Sequence, residues 1–235
     1  MNDDAVVQVQ APSRGRVAAL LSDLWYRLWK LIFWIIFKLF FRITVEGREH
    51  EPTRGPFIAA GNHASAVDPL VVGISLRNKA FYMGKEELFS VPVVGPWVTS
   101  MGTFPVRRGQ PDRKAIRRSI HILESGDVLV MFPEGTRSPD GRLQKPEPGA
   151  AMIALRTGAP VLPVAVINSH RILPKGSRRP RFEKVTVRMG PPVRVPRVEG
   201  RLDHKMMEEW GQRIIEAIED LLPPEQKRPV VNSES

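Results

Sequence analysis

Asn62-His63-Ala64-Ser65-Ala66-Val67-Asp68 sets an imidazole and a carboxylate five residues apart. Imidazole is the side chain suited to taking and returning a proton near neutral pH. A carboxylate bonded to one of its nitrogens fixes the tautomer and stabilises the cation that forms. The chemistry on offer is general-base removal of a hydroxyl proton. In a straight helix, residues five apart point about 140° away from each other, so His63 and Asp68 meet only across a turn. Ser65-x-x-Asp68 is a helix-capping pattern and Asp68-Pro69 reads as an N-cap followed by proline; either places a turn there. A single His-Asp spacing is common in proteins, so the other blocks of the chain have to decide what it does.

Three further segments lie where apolar runs end. Gly102-Thr103-Phe104-Pro105-Val106-Arg107-Arg108-Gly109 carries two arginines after a strand-like run, and guanidinium groups meet phosphate oxygens in a two-pronged geometry. Phe132-Pro133-Glu134-Gly135-Thr136-Arg137-Ser138 follows the run Asp127–Phe132. In it Gly135 lets backbone approach a ligand, Thr136 and the amides can donate to phosphate, and Arg137 supplies charge. Glu134 is the odd member of such a set; it could orient the arginines or accept from a glycerol hydroxyl. Val161-Leu162-Pro163-Val164 is a strand interrupted by proline, which by itself reads as an edge strand.

The elements that must position these groups follow from periodicity. Phe57–Ala60 is a short buried strand ending at Gly61, and Pro69–Leu76 a following helix, so His63 falls in a strand-to-helix turn. Strands are expected at 43–47 (an edge), 80–83, 103–106, 127–132, 161–167 and 185–189. Helices are expected at 111–123, 149–157 and from Met206 to Leu221. The apolar stretch 91–101 is broken by Pro92, Gly95 and Pro96. Alternation of this kind predicts one α/β domain over residues 43–222 with a mixed, largely parallel sheet covered by helices. Residues 1–19 and 223–235 are polar and are expected to be disordered.

With 235 residues, 42% hydrophobic and 26% charged, the composition is that of an ordinary globular chain, but the net charge of +10 favours an anionic partner. No cysteine is present, which excludes disulfides, thiolate zinc sites and a cysteine nucleophile and agrees with a reducing compartment. Residues 20–42 are the most apolar stretch, with three Trp and four Phe, yet they carry Asp23, Arg27, Lys30, Lys38 and Arg42. At about 100° per residue those charges fall in one arc of about 120°. A basic stripe opposite a broad aromatic and aliphatic face predicts a helix lying in an anionic membrane interface, with a tilted span as the lesser alternative.

In this order, the blocks resemble those of the 1-acylglycerol-3-phosphate acyltransferase family of bacterial type, over roughly residues 43–192. The family's four blocks correspond to Asn62-His63…Asp68, Gly102…Arg108, Pro133-Glu134-Gly135-Thr136-Arg137 and Val161-Leu162-Pro163-Val164, and Lys85–Pro92 is similar to its lysine-containing segment. The resemblance implies His63 as base and Asp68 as its orienting partner, with Lys85, Arg108, Glu134, Gly135, Thr136 and Arg137 around the acceptor's phosphate. It implies acyl transfer from acyl-CoA or acyl carrier protein to lysophosphatidic acid or glycerol 3-phosphate, without metal or cofactor, at the cytoplasmic face of the cell membrane. Two positions depart from the pattern: Arg107 stands where the family often has Asp, and Pro146-Glu147-Pro148-Gly149 stands where it often has Phe-Lys-x-Gly. Nucleic-acid binding fits the charge alone, but the aromatics are gathered in the lipid-facing segment and not interleaved with the basic residues. A serine hydrolase is disfavoured by the lack of a Gly-x-Ser-x-Gly elbow.

Overall fold

The computed structural model describes residues 16–107, 109, 112–173 and 179–229. Among these, seven strands form one sheet: β1 (Thr44–Glu46), β2 (Phe57–Gly61), β3 (Ala80–Lys85), β4 (Thr103–Val106), β5 (Val128–Met131), β6 (Val161–Ile167) and β7 (Thr186–Met189). Their order is β1-β7-β6-β2-β5-β3-β4, and every pairing is parallel except β6 with β7. The mixed, largely parallel sheet predicted from the alternation is therefore the one that forms.

The central strands are continuous apolar runs because both of their faces are buried. Ile58, Ala60, Leu129 and Met131 point to one side, under α4 (Arg113–Glu124), α5 (Pro148–Thr157) and α7 (His204–Glu219). Phe57, Ala59, Val128 and Val130 point to the other, under α2 (Asp68–Ser75) and the C-terminal part of α1 (Arg16–Phe40). Local sequence sets the helix boundaries. Asp112 caps α4 by accepting from the Lys114 and Ala115 amides, both at 3.0 Å. Pro148 opens α5 and Gly158, at φ 66°, closes it.

The crossovers place the site. From β2 the chain passes over one face, through α2, to β3; from β5 it passes over the other face, through α5, to β6. β2 and β5 are neighbours, so their chains leave in opposite directions. Such a switch point opens a crevice outside the carboxyl ends of the strands. His63 and Glu134 both lie just past those ends.

Three expectations change. Pro163 does not mark an edge: β6 lies between β2 and β7, and the proline sits one residue beyond the β7 ladder, where its carbonyl accepts from the Gly190 amide at 3.0 Å. The interrupted stretch 91–101 contains α3 (Val94–Ser100), whose Trp97 packs edge-on against Trp29 and Phe33 of α1. Residues 224–226, expected to be disordered, form a 3-10 turn (Pro224–Gln226), because Gln226 supplies hydrogen bonds that two neighbouring loops need. Its side-chain oxygen accepts from the Asn168 amide and its carbonyl from the Leu143 amide, both at 2.9 Å. Arg228 then locks the tail to Glu219 of α7 at 2.6 Å.

The N-terminal helix divides its surface more finely than a stripe and a face. α1 has 25 residues, about 37 Å at 1.5 Å per residue. It crosses the α2 side of the sheet diagonally: Trp25 Nε1 donates to Ser100 Oγ ahead of β4, and the Phe41 carbonyl just past its other end accepts from the Val185 amide ahead of β7. One apolar side, with Tyr26, Trp29, Phe33 and Phe37, is docked on the domain. Another, with Leu20, Leu24, Leu28, Leu31, Ile35 and Leu39, is exposed. The charged arc separates them along one flank. No helix among the described residues is long and apolar enough to cross a membrane.

Candidate active site

His63 begins the turn that joins β2 to α2. Just before it, the chain leaves the ladder with a substitution: Asn62 Nδ2 donates to the Val166 carbonyl at 3.1 Å and its Oδ1 accepts from the Val166 amide at 2.6 Å. A side-chain amide thus continues the pairing to β6 by one rung while the backbone turns away. Neither capping pattern forms as expected. Val67 is the N-cap, without a side-chain bond. Asp68 instead reaches back, its Oδ2 accepting from the Ala64 amide at 2.7 Å, the Ser65 amide at 2.6 Å and His63 Nδ1 at 3.0 Å. The turn predicted between His63 and Asp68 is what allows this contact. Both side chains are buried, at 4% and 0% exposure. With its proton on Nδ1 facing the carboxylate, the imidazole presents Nε2 as the basic nitrogen.

The loop after β5 grips the same turn. Glu134 Oε1 accepts from the His63 amide at 2.5 Å, and the Ser138 amide donates to the His63 carbonyl at 2.7 Å. Glu134 Oε2 accepts from the Gln144 amide at 3.0 Å and from Gln144 Nε2 at 3.1 Å. The Phe132 ring stacks on the imidazole, with centroids 4.3 Å apart and planes inclined by 24°. Burial, the strongest influence, pushes the Glu134 carboxyl up to about 7 against the opposing pull of these amide donors.

The residues singled out from the sequence fall into two groups. His63, Asp68 and Glu134 are brought together, but Glu134 is turned inward with both oxygens engaged, bracing the His63 backbone rather than facing solvent. Gly135 (φ 68°) and Thr136 are exposed beyond it, and Arg137 is half-buried. A side chain at Gly135 would carry left-handed strain and meet Glu147 at 2.9 Å. Lys85 and Arg107 end β3 and β4 on the same edge of the sheet, exposed and paired with Glu87 at 3.0 Å and Glu86 at 3.1 Å. Strands are spaced about 4.8 Å apart, which puts Lys85 roughly 10 Å and Arg107 roughly 15 Å from the β2 row. Arg108 lies outside the described residues.

Sequence reasoning missed Gln144 and Phe132 as neighbours of the His63 turn and the pairing role of Asn62. The block Phe132-Pro133-Glu134 held the signal for the ring, since an aromatic closing a buried strand at the crevice has to lie against something. Nothing in the spacing of Gln144 announces its contact. Among the described residues no cluster of His, Cys, Asp and Glu is arranged to hold a metal ion.

A buried His-carboxylate pair at a switch point, with cations on the adjoining strand ends, can deprotonate a hydroxyl beside a bound anion. The acyltransferase family's sequence profile matches residues 42–167. The chain is 33% identical over 141 residues to the chloroplast 1-acyl-sn-glycerol-3-phosphate acyltransferase LPAT1 of Arabidopsis thaliana, covering 59% of this chain and 39% of that one. It is 34% identical over 125 residues to the 1-acyl-sn-glycerol-3-phosphate acyltransferase of Bacillus subtilis, covering 52% and 61%. The matched stretch is less than two thirds of either relative's own length. The crystal structure of the 1-acyl-sn-glycerophosphate acyltransferase PlsC from Thermotoga maritima superposes with a TM-score of 0.63 at 29% identity, over 76% of this chain and 71% of that one. The chain belongs to the acyltransferase family, the one that holds the 1-acyl-sn-glycerol-3-phosphate acyltransferases.

Proposed function

We propose that the protein transfers a fatty acyl group from an acyl thioester to a free hydroxyl of lysophosphatidic acid, making phosphatidic acid for phospholipid synthesis. The observation that carries this reading is the 3.0 Å contact between His63 Nδ1 and Asp68, which leaves Nε2 as base at the crevice. His63 takes the proton from the acceptor hydroxyl and the oxygen attacks the thioester carbonyl. The tetrahedral intermediate collapses, and the imidazolium gives its proton to the departing thiolate. One ester forms, one thioester breaks and no covalent enzyme intermediate is needed. Neither metal nor cofactor enters this sequence; acyl-CoA or acyl carrier protein is consumed as a substrate.

The acceptor's phosphate fits the cationic rim. Lys85, Arg107 and Arg137 belong to strand-end loops of one edge, with Thr136 and the Gly135 backbone available as donors. Exposed ion pairs such as Lys85–Glu87 are worth about 0–1 kcal/mol, so a phosphate displaces them at little cost. Glu134 serves this reaction by fixing the backbone of the base. The exposed apolar side of α1 holds the protein in the interface of the cell membrane's cytoplasmic leaflet, where both the lysolipid and the product reside. The chain's lack of cysteine agrees with that compartment.

The deciding experiment is product analysis: purified protein with lysophosphatidic acid or glycerol 3-phosphate and a panel of acyl-CoAs and acyl carrier protein thioesters. Phosphatidic acid from the lysolipid supports the reading. Thiol release without acylated product, or acylation of neither acceptor, sinks it.

A further inference from the structure

A cleft of about 520 Å³ opens between α1 and the segment joining α2 to β3. It is not part of the catalytic edge. Arg77 and Lys79 precede β3, and Arg48 follows the far end of β1, so its walls lie at the opposite end of the strands from His63. The six residues of β3 separate the two places by roughly 20 Å at about 3.3 Å per residue.

Five cations, Arg27, Lys30, Arg48, Arg77 and Lys79, line this cleft against one carboxylate, Asp23. Two of them are fixed in place. Lys30 Nζ donates to the Leu76 carbonyl, and Arg48 Nη2 donates to the Ser75 carbonyl at 2.7 Å, both at the negative end of α2. Arg48 also lies over the Trp34 ring, 5.8 Å from its centroid, with its Nε buried and unpartnered. Lys79 lies 5.3 Å from the centroid of Tyr26. The Arg77 guanidinium has no ion pair among the described residues. Burial holds the Lys30 ammonium down at about 8; the Glu51 carboxylate opposes this, while Arg48 and Arg27 add to it, and a bound anion would relieve it. The mouth of the cleft adjoins the exposed apolar side of α1, and Leu31 belongs to both.

We propose that this cleft binds the headgroup phosphate of an anionic phospholipid in the bilayer, as a site separate from that of the acyl acceptor. The charge complements a phosphate, and the neighbouring Leu24, Leu28 and Leu31 are placed to lie along acyl chains. The inference rests on α1 facing a membrane, and the test separates the two.

Three forms of the full chain are compared with wild type for partitioning onto phosphatidylcholine vesicles, with and without phosphatidylglycerol: R77Q/K79Q, K38Q/R42Q and L24E/L28E. R77Q/K79Q should lose roughly 10- to 30-fold on anionic vesicles, keep wild-type binding to neutral ones and turn over a soluble short-chain acceptor at the wild-type rate. K38Q/R42Q removes the same amount of charge at the C-terminal end of α1, outside the cleft, and should lose several-fold less. Equal losses in these two variants would mean diffuse attraction, and no loss in R77Q/K79Q would mean no site; either overturns the proposal. Thermal stabilisation of the lipid-free protein by inorganic phosphate, abolished in R77Q/K79Q, would assign the cleft to a soluble anion and also overturn it. L24E/L28E should leave both kinds of vesicle. If it stays bound, the membrane-facing reading of α1 fails whatever the cleft variants do.

Discussion

Along the carboxyl edge of the sheet, the His63 turn and the Lys85–Arg107 rim are held in opposite ways. The turn is buried and bonded to backbone on several sides: Asp68 gathers two amides besides the imidazole, and Glu134 and Ser138 hold the His63 amide and carbonyl. Lys85 and Arg107 are exposed, and each pairs with a neighbouring carboxylate on the surface. The difference matches the proposed tasks. A base must sit within a few tenths of an ångström of a productive geometry, because a misplacement of about 1 Å can cost 100-fold in rate. A phosphate carries charge near −2 and several acceptor oxygens, so mobile cations can gather around it.

Substitutions in the two regions should therefore separate kcat from KM. His63→Ala should lower kcat by about 10⁴-fold, the upper end of general-base contributions, while the far-UV spectrum stays native; retained turnover would remove His63 from the mechanism. Asp68→Asn should cost about 100- to 1000-fold in kcat, with a smaller change in KM, since the amide cannot hold the imidazolium. Glu134→Gln should lower kcat roughly 10- to 100-fold and leave the acceptor KM nearly unchanged. A rise in KM without a fall in kcat would return Glu134 to the group that touches substrate. Arg107→Ala and Arg137→Ala should each raise acceptor KM by about 3- to 10-fold with kcat preserved, and an unchanged KM would detach them from the phosphate.

Glu134 also gives the clasp a pH signature. Its carboxyl is raised from 4.5 to about 7, so between these values the folded chain holds a proton that the unfolded chain has released. That contribution to stability is complete below about 4.5 and is lost as pH rises through about 7. The melting temperature of wild type should fall across this window relative to that of Glu134→Gln. Parallel curves would show that burial does not set the protonation of this group.

Much of this was legible before any coordinates. β2, β5 and β6 announce themselves as short apolar runs because the sheet buries both of their faces, and the His63–Asp68 turn follows from helix geometry alone. The inward direction of Glu134 was not legible, since composition cannot tell a carboxylate that binds a ligand from one that binds a distant backbone amide. α3 was hidden by its own glycine and proline and by Pro92 just ahead of it. Its helix forms because Trp97 finds Trp29 and Phe33, and because Gly95 lets the Phe89 carbonyl come where a Cβ would lie 2.2 Å from it. The charged arc of α1 was plain, but not that its apolar residues divide into a docked side and an exposed one. That division depends on residues of α2 and α3 contributed by other parts of the chain.

The rung supplied by Asn62 has a consequence for the order in which the molecule comes together. It joins residues 104 apart, and the brace from Glu134 to His63 joins residues 71 apart, whereas the imidazole and its carboxylate are only five apart. The pair can form early from local chain, but its final aim waits on these distant closures, which are slower to form. Refolded protein should regain its circular dichroism before its turnover, which arrives in the last cooperative phase.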